Sequence, residues 1–497
     1  MASRCVSQVT DTHDVAGLRV LVMGLGHFGG GLGVTRWLAN NGASVTVTDL
    51  STGDRLADSL GKAADLDVVW HLGRHDTADL DQADLVVVNP AVDKARSEFF
   101  QAVISRGIPY TTEMNLFCGL CPAPIIGITG TYGKSTTCAM LADALQSCAG
   151  NGAVGYSRVH LGGNIGGSLL NDLSNIDPTD YVVLEMSSAQ LEDLPMISWA
   201  PRIAAITNLS PHHLNRYDSY EAYVSAKSHI VGTHDRATSV IVGNLDARTQ
   251  TLLRNAVPDY DALVVRVGDL QPPIELQIPG KHNRDNATCA LGVCRQLALD
   301  ETVVRRALQR FKGLPHRLEF VRTVEGVDYY NDSKATSPGA AIRAVEALDR
   351  PIVAIVGGRD ITAHTPGGAS DRVHPEPQRV ASRSADDTSG QPVRELRTAG
   401  RQSTLADWAC VVTARARAVI CTGESASAYA TALRTHNRGR SACAIRQASD
   451  LEDALRLARV HAYPGDIVLL SPGAPSFDHY SNFAARGQHF VDLVNAL

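Results

Sequence analysis

Short apolar runs alternate with helix-like segments over almost the whole chain. The runs at 19–23, 44–48, 85–89, 124–129, 181–185, 203–208, 239–243, 351–357, 417–422 and 466–471 are mostly Val, Ile, Leu and Ala. Segments with helical spacing lie between them, such as 135–146 and 286–299. Strands buried on both faces read as unbroken apolar stretches, so the alternation predicts α/β architecture with mostly parallel sheets covered by helices. At roughly 150 residues per domain, 497 residues suggest about three domains. Ligands in such sheets bind beyond the carboxyl ends of the strands, so the loops after these runs are where function is sought.

Composition removes several alternatives. Lys+Arg is 46 against Asp+Glu 52, a formal net charge of −6 that gives no support for a nucleic-acid binder. No apolar run approaches the roughly 18 residues a membrane span requires. Residues 1–17 lack the apolar core of a signal peptide. Ten scattered cysteines in a chain this long read as reduced thiols, and the expected location is the cytoplasm. Cys118 and Cys121 form one Cys-x-x-Cys with no second pair nearby, which is weak grounds for zinc or redox chemistry.

Three Gly-rich turns follow predicted strands. Gly24-x-Gly26-x-x-Gly29 opens a helix, with Asp49 at the end of the next strand, where an acid can meet a ribose hydroxyl. Nothing in that turn separates a nicotinamide dinucleotide from a UDP-sugar, and a purely structural turn has the same sequence. Gly130, Thr131, Gly133, Lys134, Ser135 and Thr136 form a more specific turn. Backbone N–H groups and the positive helix end can hold phosphate there, Lys134 adds a point charge, and the Ser135 hydroxyl can reach Mg²⁺. A third, weaker turn is Gly357-Gly358. The segment at about 362–402, rich in Ser, Arg, Asp, Pro and Gly and without periodicity, reads as a flexible insertion.

Phosphoryl transfer needs hard metal ligands. Glu185 ends one apolar run, and His213 follows another in Asn-Leu-Ser-Pro-His-His. Alone, the first would read as a helix-capping acid and the second as a loop histidine; beside a phosphate loop the metal reading gains. His316-Arg317 and the cluster Asn331-Asp332-Ser333-Lys334-Ala335-Thr336 could bring cations toward a transferring phosphoryl group, or be a solvated charge cluster.

The ordered set of motifs resembles the Mur ligases of peptidoglycan synthesis. Its marks are Gly-Ile-Thr-Gly-Thr-x-Gly-Lys-Ser at 127–135, Gly-Gly-Asn-Ile-Gly at 162–166, Glu-x-Ser-Ser-x-Gln at 185–190 and Gly-Lys-His-Asn-x-x-Asn at 280–286. Gly-Leu-Pro-His-Arg at 313–317, Asn-Asp-Ser-Lys-Ala-Thr at 331–336 and Ser-Pro-x-x-x-Ser-Phe-Asp…Arg-Gly at 471–487 complete it. The last two point to the D-glutamate-adding branch. The resemblance runs from about residue 19 to the C-terminus, excluding the insertion.

The resemblance implies three domains: a Rossmann-like UDP-substrate domain at 1–112, a P-loop ATPase domain at 113–313 and a Rossmann-like amino-acid domain at 314–497. It implies ATP and Mg²⁺, with two metal sites. Lys134 would contact ATP phosphates; Ser135, Glu185, His213 and Lys227, the last carried as a carbamate, would serve the metal. Lys334 would act with Lys134, Glu185, His213 and Lys227 in catalysis. Asn286, Arg317 and Asp332 would address the nucleotide. Gly26, Asp49, Asn164 and Ser187 would hold the UDP substrate, and Thr336, Ser476 and Phe477 would line the D-glutamate pocket. The implied partners are UDP-N-acetylmuramoyl-L-alanine, D-glutamate and ATP, with no nucleic acid, no membrane and a monomeric chain.

Several positions depart from the pattern. Tyr132 stands where Asn is usual, His212 and Asn215 replace acids, and Asn89-Pro90-Ala91 replaces Ser-Pro-Gly. Ile361 stands where a lysine would pair the D-glutamate side chain, so either Arg359, or Arg372 or Arg379 from the insertion, supplies that cation, or Arg359 faces solvent and Ser476 and Thr336 suffice. Alternatives are a Mur-type ligase of other amino-acid specificity, a folate ligase, a non-catalytic nucleotide binder of the same fold, and a nicotinamide oxidoreductase. Residues 1–112 argue against a folate ligase. Retention of Lys134, Glu185, His213 and Lys227 argues against the non-catalytic protein, and an oxidoreductase leaves the second domain unexplained.

Overall fold

The computed structural model describes residues 9, 11–26, 29–149, 155–197, 199–213, 216–232, 239–243, 245–257, 260–266, 274–359, 404–437 and 443–497. The 362–402 insertion, Asn215, Ile361, Arg372 and Arg379 lie outside them. The chain forms two compact units, 1–313 and 314–497.

Unit 1 carries two sheets. The first contains β1 (Arg19–Met23), β2 (Ser44–Asp49), β3 (Val68–Leu72), β4 (Leu85–Val88) and β5 (Tyr110–Thr111), all parallel, in the order β3-β2-β1-β4-β5. The second contains β6 (Ile125–Thr129), β7 (Val159–Gly163), β8 (Tyr181–Glu185), β9 (Ile203–Ile206), β10 (Ser239–Val242) and β11 (Val264–Arg266). It is also parallel, in the order β11-β10-β9-β6-β8-β7. Successive side chains of a strand point to opposite faces, which sorts each sheet's residues into two cores. Ile126, Ile128, Val183, Ala205 and Ile241 pack on one face of the second sheet against the helices Lys134–Ala149 and Lys281–Gln296. Val182, Leu184, Ala204 and Ile206 face the other way and share one continuous core with Val20, Val22, Val45 and Val47 of the first sheet. That shared core makes the two sheets one unit.

Unit 2 has one sheet, in the order β12-β13-β17-β14-β15-β16: β12 (Glu319–Val324), β13 (Val327–Asn331), β14 (Ile352–Gly357), β15 (Ala416–Thr422), β16 (Ala444–Gln447) and β17 (Ile467–Leu470). Among the described strands only the edge strand β12 runs antiparallel to its neighbour; the rest pair in parallel. Strand order reverses between β17 and β14, where a parallel sheet opens a crevice at its carboxyl end. A cavity of about 270 Å³ lies there, lined among others by Gly357, Gly358, Thr422, Asp478, Tyr480 and Arg486.

Candidate active site

The phosphate loop joins β6 to the helix Lys134–Ala149, so its N–H groups sit at a helix N-terminus. Gly133 is left-handed (φ 79°), and a Cβ there would fall 2.1 Å from Asn286 Oδ1. Asn286 is therefore seated directly against the loop. The segment after β9 clasps the loop from the other side. The Asn208 side chain accepts from Tyr132 N–H (3.1 Å) and donates to Tyr132 C=O (2.8 Å), while Thr207 Oγ1 donates to the same carbonyl at 2.7 Å. Thr131 N–H donates to Asn208 C=O at 2.8 Å. Ser135 and Thr136 are buried at the helix start. Lys134 Nζ donates to the carbonyls of Gly130 (3.0 Å) and Thr131 (3.1 Å), which holds the charge over the loop.

Beside the loop stand the metal candidates. Glu185 ends β8 and is 1% exposed. Its Oε1 accepts from Asn164 Nδ2 at 2.9 Å, and its Oε2 is buried with no hydrogen-bond partner among the described residues. It is not a helix cap: Ser187 caps the following helical turn, with Gln190 closing the capping box. Lys227 lies on the helix Tyr220–Ser228 and is 1% exposed. Its Nζ donates to Thr129 Oγ1 at 3.1 Å and stands 5.0 Å over the Tyr223 ring, with no carboxylate in ion-pair range among the described residues. Burial drives its ammonium well below the ordinary range, helped by the nearby Lys134 charge and opposed by Glu185. His213 has a left-handed backbone (φ 55°), and its pKa is lowered by burial and then by Lys227, Lys134 and Arg216.

Among the described residues no three His, Cys, Asp or Glu side chains are placed to hold a metal. Mg²⁺ does not require such a set, because it keeps several waters and takes one or two carboxylates plus substrate phosphates. The unpartnered Oε2 of Glu185 and the Ser135 hydroxyl fit that demand, and carbamylation of Lys227 would add a second acid.

In the first sheet, Asp49 fixes the Gly-rich turn. Asp49 Oδ2 accepts from the N–H groups of Leu25 (2.9 Å) and Gly26 (3.1 Å), and its Oδ1 accepts from Ser51 N–H (2.7 Å). The carboxylate thus shapes the turn itself. An ion-pair network ties this sheet's loops to the His213 loop: Lys94 pairs with Asp193 and Glu192, and Arg216 holds Glu192 through two bonds of 2.9 and 2.8 Å.

In unit 2, Asp332 is buried, with Oδ1 accepting from Leu318 N–H (3.2 Å) and Oδ2 from Ser471 Oγ (2.8 Å). Burial raises its pKa to about 7 against those bonds and the Arg317 and Arg343 charges. Lys334 Nζ stands 5.1 Å over the Phe483 ring. Ser476 is buried, whereas Thr336, Phe477 and Arg359 are exposed. Arg359 N–H donates to Pro475 C=O at 2.8 Å, placing it beside Ser476. Arg486, given no role from sequence, is buried and donates to Ser333 Oγ, Ser333 C=O and Ala474 C=O at 3.0–3.1 Å, and to Gly357 and Pro475 carbonyls at 3.4 Å. It binds together the loops after β13, β14 and β17. Sequence reasoning also missed Thr129, Thr207, Asn208 and Tyr223, which act only through contacts.

Family models match three stretches of the chain: a MurD-like N-terminal domain at 18–111, a Mur ligase middle domain at 128–269 and a Mur ligase glutamate ligase domain at 316–473. A protein named UDP-N-acetylmuramoylalanine–D-glutamate ligase from Roseiflexus sp. (strain RS-1) is 34% identical, over 97% of this chain and 99% of its own. The chain belongs to the Mur ligase family. A second relative of the same name, from Symbiobacterium thermophilum, is 33% identical over 96% of this chain and 98% of its own. Among solved structures, UDP-N-acetylmuramate-alanine ligase MurC from Thermotoga maritima is 17% identical, with a TM-score of 0.54 over 96% of this chain and 99% of that one. Mycobacterium tuberculosis folylpolyglutamate synthase, complexed with ADP, is 16% identical, with a TM-score of 0.50 over 76% of this chain and 93% of that one. Both likenesses concern the Mur ligase fold. No described helix is long and apolar enough to cross a membrane.

Proposed function

We propose that this Mur ligase joins D-glutamate to UDP-N-acetylmuramoyl-L-alanine at the expense of ATP. The observation that carries the reading is the clasped phosphate loop beside Glu185, whose buried Oε2 lacks a hydrogen bond among the described residues. Relatives named for D-glutamate ligation, matched along nearly their whole length, support the substrate.

A carboxylate is a poor acyl donor because its leaving group would be oxide. Attack of its oxygen on the γ-phosphorus of ATP expels ADP and leaves an acyl phosphate. The amine of D-glutamate then adds to the acyl carbon, a proton is lost, and phosphate departs from the tetrahedral intermediate. Lys134 and the loop N–H groups stabilise charge on the transferring phosphoryl group. Asn164 fixes Glu185 through one oxygen and so aims the other.

Two Mg²⁺ ions, held by Ser135, Glu185, His213 and carbamylated Lys227, would supply positive charge between the reacting anions. The carbamate forms when the neutral Lys227 amine attacks CO₂: a C–N bond forms, one C=O pair becomes a carboxylate oxygen, and the nitrogen releases a proton.

Asn286, Arg317, Asp332 and Lys334 address the nucleotide and the transferred group. Gly26, Asp49 and Ser187 serve the UDP substrate. Thr336, Ser476 and Phe477 bind D-glutamate, with Arg359 pairing its side chain. The functional domains are 1–112, 113–313 and 314–497, acting as a cytoplasmic monomer.

The test is Lys134→Ala. Phosphate release is expected to fall by about 100-fold or more in kcat, the scale for losing one preorganised donor to developing charge. Near-normal turnover by the folded variant would reject the ATP site.

A further inference from the structure

The backbone of His213 is bonded, its C=O accepting from the N–H groups of Arg216 (2.9 Å) and Tyr217 (3.0 Å), but its imidazole is not. Among the described residues neither ring nitrogen of His213 has a hydrogen-bond partner. A metal-ligating imidazole ordinarily donates its second N–H to a carboxylate or carbonyl, which sets ring angle and tautomer. Here the ring is held by other rings. His212 packs edge-on against it, with centroids 4.1 Å apart and planes at 84°. Tyr223 stands 6.5 Å away on the tilt. The chain of rings then continues into the phosphate loop, since Tyr132 meets His212 edge-on at 5.6 Å and 87°.

The far end of that chain is itself fixed. Tyr132 lies between Gly130 and Lys134, and its N–H and C=O are both bound by Asn208, with Thr207 on the same carbonyl. A side chain whose backbone is clamped on both polar groups is a firm anchor. Edge-to-face contact between aromatic rings is directional, so the anchor transmits an orientation as well as bulk.

We propose that Tyr132 and His212 are positioning residues: an aromatic relay from the phosphate loop sets the angle of the His213 imidazole in place of a hydrogen-bonded partner. Movement of the loop on nucleotide binding then reaches the metal site through ring contacts. The proposal rests on the reading of His213 as a metal ligand.

The test uses the full-length protein and Mn²⁺ alone, with the free ion counted by electron paramagnetic resonance. His213→Ala, Tyr132→Ala and His212→Ala are each expected to weaken Mn²⁺ binding about 10-fold, the scale on which outer partners of a ligating imidazole act. Tyr132→Phe keeps the ring and is expected to hold the affinity within about 2-fold, while Tyr132→Leu keeps only bulk and behaves as Ala. Tyr132→Ala combined with His212→Ala is expected to cost no more than His212→Ala alone, because the relay is already broken at its middle. In turnover, Tyr132→Ala is expected to lower kcat and leave the KM for D-glutamate unchanged. If His213→Ala weakens Mn²⁺ while the Tyr132 and His212 variants do not, the relay is wrong and the ligand reading stands. A Tyr132→Leu variant as tight as Tyr132→Phe also rejects the relay. If His213→Ala leaves Mn²⁺ affinity intact, the ligand reading falls and the relay with it.

Discussion

Asn164 holds one oxygen of Glu185 at 2.9 Å and leaves the other buried with no hydrogen-bond partner among the described residues. Such an arrangement is costly for the fold, since a desolvated acceptor without a donor loses about 1–3 kcal/mol. It is useful for a metal. Glu185→Gln keeps the shape and removes the charge. It is expected to lower phosphate release by about 100-fold or more while leaving the melting temperature equal or higher. Parallel calorimetry and turnover measurements check this; a variant that loses stability and keeps activity would make Glu185 structural.

Lys227 is expected to carry a carbamate. Because its folded pKa is depressed, the neutral amine that reacts with CO₂ is present at pH values where an exposed lysine is an ammonium. ¹³C-bicarbonate should give a carbamate carbon signal in the native protein and none in Lys227→Arg. Carbamylation should fade as pH falls through the folded pKa. Absence of the signal from active protein would remove this ligand.

Asp332 makes the stability of the C-terminal unit depend on pH. Its pKa rises from 3.8 to about 7 on folding, so the folded chain keeps a proton that the unfolded chain has released. Its contribution is complete below the unfolded value and is lost as pH rises toward 7, by the order of a few kcal/mol. Asp332→Asn resembles the protonated acid and is expected to flatten this slope. Thermal melts from pH 5 to 8 check it; an unchanged slope would mean that Asp332 is ionised in the native chain.

Lys94 and Asp193 form a pair whose side chains are 14% and 7% exposed. Removing one partner strands a buried charge, so Lys94→Met is expected to cost about 3–5 kcal/mol of stability. Lys94→Met with Asp193→Leu is expected to recover most of it. Denaturant midpoints of the single and double variants decide between this pair and a solvent-screened one.

The central strands were legible to within a residue or two because burial on both faces leaves an unbroken apolar run. The edges were not. β3 alternates half-buried with exposed residues, Val69 at 54%, and β7 ends in two glycines, so neither reads as apolar. The phosphate loop, Glu185 and Lys227 were visible as motifs. Their supports were not, because Asn208 reaches Tyr132 across 76 residues and Tyr223 reaches Thr131 across 92. Spacing gave Asp49 a ribose role, and only the fold shows that its carboxylate also accepts from the N–H groups of Leu25 and Gly26. Tyr132 and His212, two separate departures from the family pattern, are in ring contact.

The most direct measurement is phosphate release with ATP, Mg²⁺ and UDP-N-acetylmuramoyl-L-alanine against a panel of D- and L-amino acids, with the product weighed by mass spectrometry. D-Glutamate is expected to be the one that stimulates release, with a product heavier than the acceptor by one glutamate less water. Stimulation by L-lysine or diaminopimelate and none by D-glutamate would contradict the assignment.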